Sequence, residues 1–201
     1  MRILLSSLLF VVVGCASYPV KNGYILTNDR LPAITNPYFS DCSIDYVYKA
    51  NIEAFDKNFG GILAIKKLGE AHHRLVYTTE MGNTIFDFTF KEEAFKINKI
   101  LKELDRKILV NILRRDFSAL ILENPEVEKT FEKEVKMLQN ASILNKKHYY
   151  FTENGQLLKI IRAKNTTEKV VVLFQQINGN EAKDILIEHK NIKLKINLKA
   201  F

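Results

Sequence analysis

Cys15 is the residue whose setting most directly specifies chemistry. It follows Val12-Val13-Gly14, where small neighbours let a peptidase reach the backbone and the thiol can accept a diacylglycerol. Arg2 supplies one positive charge and Ile3 to Val13 an apolar run, so residues 1–14 read as a bacterial lipoprotein signal peptide with Cys15 as the lipidated mature N-terminus. The run is far short of the roughly 20 residues that a spanning helix needs. Two or three acyl chains on one residue give stable anchoring.

Other reactive arrangements are sparse. His72 and His73 are adjacent, and on a strand neighbouring side chains point to opposite faces, so the two rings do not converge on a metal. His148 and His189 have no cysteine or carboxylate at ligand spacing and read as ordinary strand or surface histidines. The chain carries no G-x-S-x-G, Walker or H-E-x-x-H motif. Its carboxylates fall mostly in turns and on the charged sides of helical segments. Cys42 has no partner once Cys15 is lipidated, so no disulfide is expected. The residues therefore predict a non-enzymatic protein with no metal and no cofactor.

Composition agrees with one folded domain. Of 201 residues, 14 leave with the leader, and the remaining 187 suffice for a core. Hydrophobic residues at 47% argue against disorder. Without Arg2 the balance is 29 basic to 23 acidic residues, with lysine spread from Lys21 to Lys199 in no dense block. That pattern predicts no nucleic-acid partner, and in a tethered protein it favours anionic lipid or an acidic partner.

Pro19, Pro32 and Pro37 break periodicity over residues 15–43, which reads as a lipidated terminus and spacer before a domain at 44–201. Beyond it, short alternating runs separated by turns predict antiparallel hairpins: YVYKANIEAF with FGGILAIKK, HRLVYTTE with TIFDFTF around Met81-Gly82-Asn83, then AFKINKIL. Ile108, Leu109, Ile112, Leu113, Phe117, Leu120 and Ile121 gather on one face of a helix, with Asp105 as its N-cap. Val127, Phe131, Val135 and Leu138 suggest a second helix after Asn124-Pro125. Strands resume around Asn154-Gly155 and NGNEA and end in NIKLKINLK, whose Leu194, Ile196 and Leu198 alternate with lysine and asparagine. The expected fold is α+β, about ten antiparallel strands with one or two helices. Phe86, Phe88 and Phe90 share one strand face and Ile65 lies in a strand apolar on both faces. Such surface suits either a packed core or an apolar cavity under a helical lid.

The stretch HRLVYTTEMGNTIFDFTF resembles the LolB family of outer-membrane lipoprotein receptors. Arg74 to Thr79 matches the first strand, Met81-Gly82 the turn, and Thr84 to Phe90 the second, while GGILAIKK and NIKLKIN resemble flanking family strands. The similarity spans most of residues 59–121 and 168–199, and departs in Glu80, where proline is common, and in the lack of tryptophan. It implies an antiparallel half-barrel closed by helices on its concave face, binding acyl chains of lipoproteins that a LolA-like periplasmic carrier delivers. Ile65, Phe86, Phe88, Phe90, Leu109, Leu113 and Phe117 would line or cover the cavity, and Met81 beside Gly82 would engage the membrane. Ala16 and Ser17, with no Asp after the cysteine, resemble lipoproteins sent to the outer membrane. The expected protein is a monomer, lipid-anchored there with its domain facing the periplasm. Another hydrophobic ligand, or a structural place in an envelope complex, is the alternative.

Overall fold

The computed structural model describes residues 17–27 and 33–201. The signal peptide at 1–14 and the lipidation site Cys15 lie outside the described residues. Short helix α1 (Tyr18–Lys21) and strand β1 (Ile25–Thr27) precede β2 (Asp45–Ala54), β3 (Lys57–Gly69), β4 (His72–Thr78), β5 (Thr84–Lys91) and β6 (Ala94–Ile100). Helix α2 (Lys107–Ile121) follows, then β7 (Val127–Lys133), β8 (Lys136–Ile143), β9 (Lys146–Glu153), β10 (Gln156–Lys164), β11 (Thr167–Asn178), β12 (Glu181–His189) and β13 (Leu194–Ala200).

These strands form one sheet in the order β1-β7-β8-β9-β10-β11-β12-β13-β2-β3-β4-β5-β6, and each neighbouring pair is antiparallel. The sheet is open, with β1 and β6 as its edges. The last strand returns to the middle and pairs with β2, so the chain must pass from one wing to the other after β6. Helix α2 makes that passage. It touches β5 through Phe86 and Phe117, whose rings are 5.6 Å apart, and β12 through Asp116 and His189, and it also packs on β8. On a flat sheet β5 and β8 would be about 43 Å apart at the usual strand spacing, twice the length of about 22 Å of a 15-residue helix. The sheet is therefore curled around α2.

Alternation decides which face turns inward. On β2 the side chains of Tyr46, Tyr48, Ala50, Ile52 and Ala54 are buried while Val47, Lys49 and Asn51 face out. On β13 Leu194, Ile196 and Leu198 are buried between exposed or half-buried lysines and asparagine, as their alternation predicts. The inner faces and α2 share one large core. A second, smaller cluster lies on the outer face of β7–β10, where Tyr18 of α1 covers Phe131, Leu138, Tyr149, Phe151 and Ile161.

Three expectations need correction. Residues 123–138 form β7 and β8 rather than a second helix. Val127 and Phe131 are four apart, a spacing that in sequence fits a period of 2 as well as 3.6; in the strand a register shift after Val127 sends Val127 to the main core and Phe131 to the outer cluster, and Glu134 at φ 55 makes the hairpin turn. Helix α2 begins at Lys107 with extended Arg106 as its N-cap, not Asp105, because the backbone N–H groups of Leu104 and Asp105 turn back onto Leu101 O. Ile108, expected on the apolar face, is 73% exposed.

Of the stretch expected as a spacer, the described residues 17–27 and 33–43 are docked along the domain. Strand β1 pairs with β7, and Ile34, Asn36, Tyr38 and Phe39 are buried. Tyr38 donates its hydroxyl to Leu157 O at 2.6 Å and stacks near Phe174, while Phe39 packs on Tyr46 and Tyr48. The prolines keep regular structure there to one helical turn and one short strand but do not prevent burial of aromatic side chains. The thirteen strands seen among the described residues thus exceed the expected ten by β1, β7 and β8.

Candidate functional site

Helix α2 carries Leu109, Leu113 and Phe117 at the i, i+4, i+8 spacing that places them on one stripe, and all three face the sheet. Beneath them, β5 presents Phe86, Phe88 and Phe90, and β3 presents Leu63 and Ile65. The seven cavity candidates read from the sequence, Ile65, Phe86, Phe88, Phe90, Leu109, Leu113 and Phe117, fall in this single buried cluster. Phe86 and Phe88 stack at 4.3 Å with 8° between their planes, and Tyr77 sits 5.3 Å from Phe86. In this conformation the interior is filled by its own side chains.

At the N-terminal end of α2 a cleft of about 180 Å³ remains, lined among others by Ala54, Phe55, Phe59, Leu104 and Leu109. It is smaller than the roughly 300–1,000 Å³ of ligand pockets. Its location follows from topology. In an antiparallel meander the β2–β3 turn, the β4–β5 turn and the exit from β6 lie at the same end of the sheet. That end also carries exposed apolar side chains, Phe55 in the first turn, Met81 in the second, Leu101 and Ile108 at the start of α2, among exposed charges of both signs: Lys57, Lys102, Arg106 and Lys107 beside Asp56, Glu80, Glu103 and Asp105.

Met81 is 91% exposed. The turn that holds it is ordered by backbone bonds from Thr79 N–H to Asn83 O at 2.8 Å and from Gly82 N–H to Thr79 O at 2.9 Å, with Asn83 N–H also donating to Thr79 Oγ1. Gly82 sits at φ +83, a region that a side chain disfavours. The thioether thus projects from a fixed turn into solvent.

Polar groups hold α2 over the interior. Asp116 accepts from His189 Nε2 at 2.7 Å, with both side chains buried. Asn36 donates its amide to Leu120 O at 2.8 Å and to Leu122 O at 3.2 Å, satisfying carbonyls that the end of the helix leaves without intrahelical partners. Arg114 donates to Glu93 O and lies 5.4 Å from the Phe95 ring. At the far end Lys67 pairs with Glu123 at 2.8 Å, and the buried His73 ring bonds Phe39 O at 3.0 Å. Burial lowers the pKa of His73 below its ordinary value against the opposing pull of that carbonyl.

The sequence contains a signal for the Asp116–His189 pair that residue-by-residue inspection misses. Asp116 lies seven residues after Leu109 and three after Leu113, on the apolar stripe itself, where a carboxylate must find a partner. His189 continues the inward face of Ile185 and Ile187.

An open, strongly curled antiparallel sheet wrapped around one amphipathic helix defines an α+β half-barrel, the architecture expected. No family model matches the chain, and no curated protein matches it. Among solved structures the chain is similar to a LolA superfamily protein from Nitrosomonas europaea, at 8% sequence identity and a TM-score of 0.49, over 84% of this chain and 92% of that one.

Proposed function

We propose that this chain is a lipid-anchored half-barrel that takes up acyl chains of lipoproteins between α2 and the sheet and passes them to the outer membrane from the end that carries Met81. The observation that carries this reading is the coincidence, at one end of the molecule, of the cleft leading toward the apolar interior with the exposed Met81, Phe55, Leu101 and Ile108. Exposed apolar side chains clustered at one end are costly in water and suited to a lipid interface. Acyl burial contributes about 0.8 kcal/mol per methylene, which drives uptake without covalent chemistry. Because the interior is filled, uptake requires α2 to move outward about its polar tethers.

One observation favours a second reading. The stacking of Phe86 on Phe88 and the tilted contact of Phe117 with Phe86 are those of a settled core, as in a structural subunit of an envelope complex.

The chain has no tryptophan, so Phe117→Trp places a single reporter in the interior and, in a separate variant, Val135→Trp places one on an exposed turn. Brominated fatty acid that quenches the interior reporter saturably and leaves the turn reporter bright supports acyl uptake. Equal, non-saturating quenching of both supports the closed core.

A further inference from the structure

We propose that the seam between α2 and strands β9 and β10 binds a phosphoryl oxyanion between the guanidinium groups of Arg115 and Arg162. Arg162 stands directly across from His148 in the β9–β10 pairing, on the inner face of the sheet. The same row continues through Val170 to His189, on which Asp116 of α2 is docked. Arg115 precedes Asp116 and lies close enough to Arg162 and His148 that, added to the larger effect of burial, the charge of each arginine disfavours protonation of His148, and burial followed by Arg115 lowers the proton affinity of Arg162.

This grouping is unbalanced as it stands. The Nε–H groups of both Arg115 and Arg162 are buried and have no hydrogen-bond partner, a costly state for a charged donor. Asp116 is near Arg162, but its carboxylate is engaged by His189 at 2.7 Å. His148 cannot offset the charge: its Nδ1–H donates to Lys146 O at 2.8 Å and its ring brings no negative charge. Two cations on facing elements with unfilled buried donors are what a bound anion would correct. Both arginines are only partly buried, so the seam is reachable from solvent.

Geometry selects the anion. One guanidinium comes from the helix and one from the sheet, so acceptor oxygens are needed in two directions. A tetrahedral phosphoryl group offers them, whereas a carboxylate offers two in one plane. The group can belong to a lipid headgroup or to free phosphate. The site lies on the β9–β10 side of α2, apart from the Phe86, Phe88 and Phe117 cluster, and its test does not depend on acyl uptake.

The test is titration of the full-length chain carrying Cys15→Ala with inorganic phosphate by calorimetry, beside Arg115→Gln, Arg162→Gln, Arg162→Lys and Lys159→Gln. Lys159 lies on the same strand but faces outward over Phe151, so it serves as the control for nonspecific charge. Saturable binding that weakens about tenfold or more in both Gln variants, less in Arg162→Lys and not in Lys159→Gln, establishes the site. Equal affinity in all folded variants, or no saturable binding by the protein with both arginines intact, overturns it. Phosphatidylglycerol vesicles supply the second arm. Arg162-dependent vesicle binding that phosphate displaces assigns the headgroup, and phosphate binding without it assigns the free anion.

Discussion

Asp116 Oδ2 and His189 Nε2 meet at 2.7 Å although 73 residues separate them, and their side chains are 3% and 2% exposed. The pair pins the middle of α2 to β12, across the interior from Phe86. Removing one partner strands the other out of water. His189→Ala should therefore cost about 3–5 kcal/mol, read as a lower urea midpoint at unchanged slope. Replacing both residues by leucine should recover most of that loss. A double variant as unstable as the sum of the singles would contradict the pairing.

Two buried histidines, His148 and His73, make the fold acid-sensitive. Burial, aided by Arg162 and Arg115 and opposed by the Lys146 carbonyl, lowers the His148 pKa from 6.5 to about 4. The unfolded chain therefore binds more protons in that interval. The resulting stability is complete above about pH 6.5 and is lost as pH falls toward 4, a loss on the order of 3 kcal/mol. His73 is shifted in the same direction by its own burial. His148→Gln should flatten the stability profile between pH 6.5 and 4, and combination with His73→Gln should flatten it further. An unchanged slope in the double variant would refute the assignment.

Two neighbouring glycines should respond oppositely to the same change. A Cβ on Gly61 would stand 1.9 Å from the Thr78 carbonyl oxygen, a backbone atom of the adjoining strand, whereas one on Gly60 meets nothing within 4 Å. Gly61→Ala should cost about 3 kcal/mol, the upper part of the overpacking range, and Gly60→Ala should change little. Equal melting temperatures for the two variants would show that β3 and β4 do not approach so closely.

Much of this architecture is legible from period alone. The alternation of Leu194, Ile196 and Leu198, the Asn154-Gly155 turn and the stripe of Leu109, Leu113 and Phe117 each have one simple solution. Residues 123–138 are ambiguous in sequence because Val127 and Phe131 fit both periods, and pairing of β7 and β8 with β1 and β9 decides between them. Tyr38 and Phe39 have no placement in sequence, since an irregular segment shows no period and their partners Leu157, Phe174, Tyr46 and Tyr48 lie on strands elsewhere in the chain. Of the candidate site, the apolar residues are visible in sequence; Asp116 on the apolar stripe signals that a tether is needed, but not which residue partners it. Asp116 and His189 sit 73 residues apart, and only the three-dimensional fold brings them together.

In the proposed function Met81 is the residue that hands cargo to lipid, and delivery to liposomes tests it most directly. A triacylated lipoprotein on its periplasmic carrier is offered to the Cys15→Ala protein and to the same protein with Met81→Glu added, and release into liposomes is followed for both. The expected result is uptake by both proteins and release at least about tenfold slower from the Met81→Glu variant, because a carboxylate is expensive to bring into a lipid interface. No uptake by either protein, or equal release by both, would contradict that role.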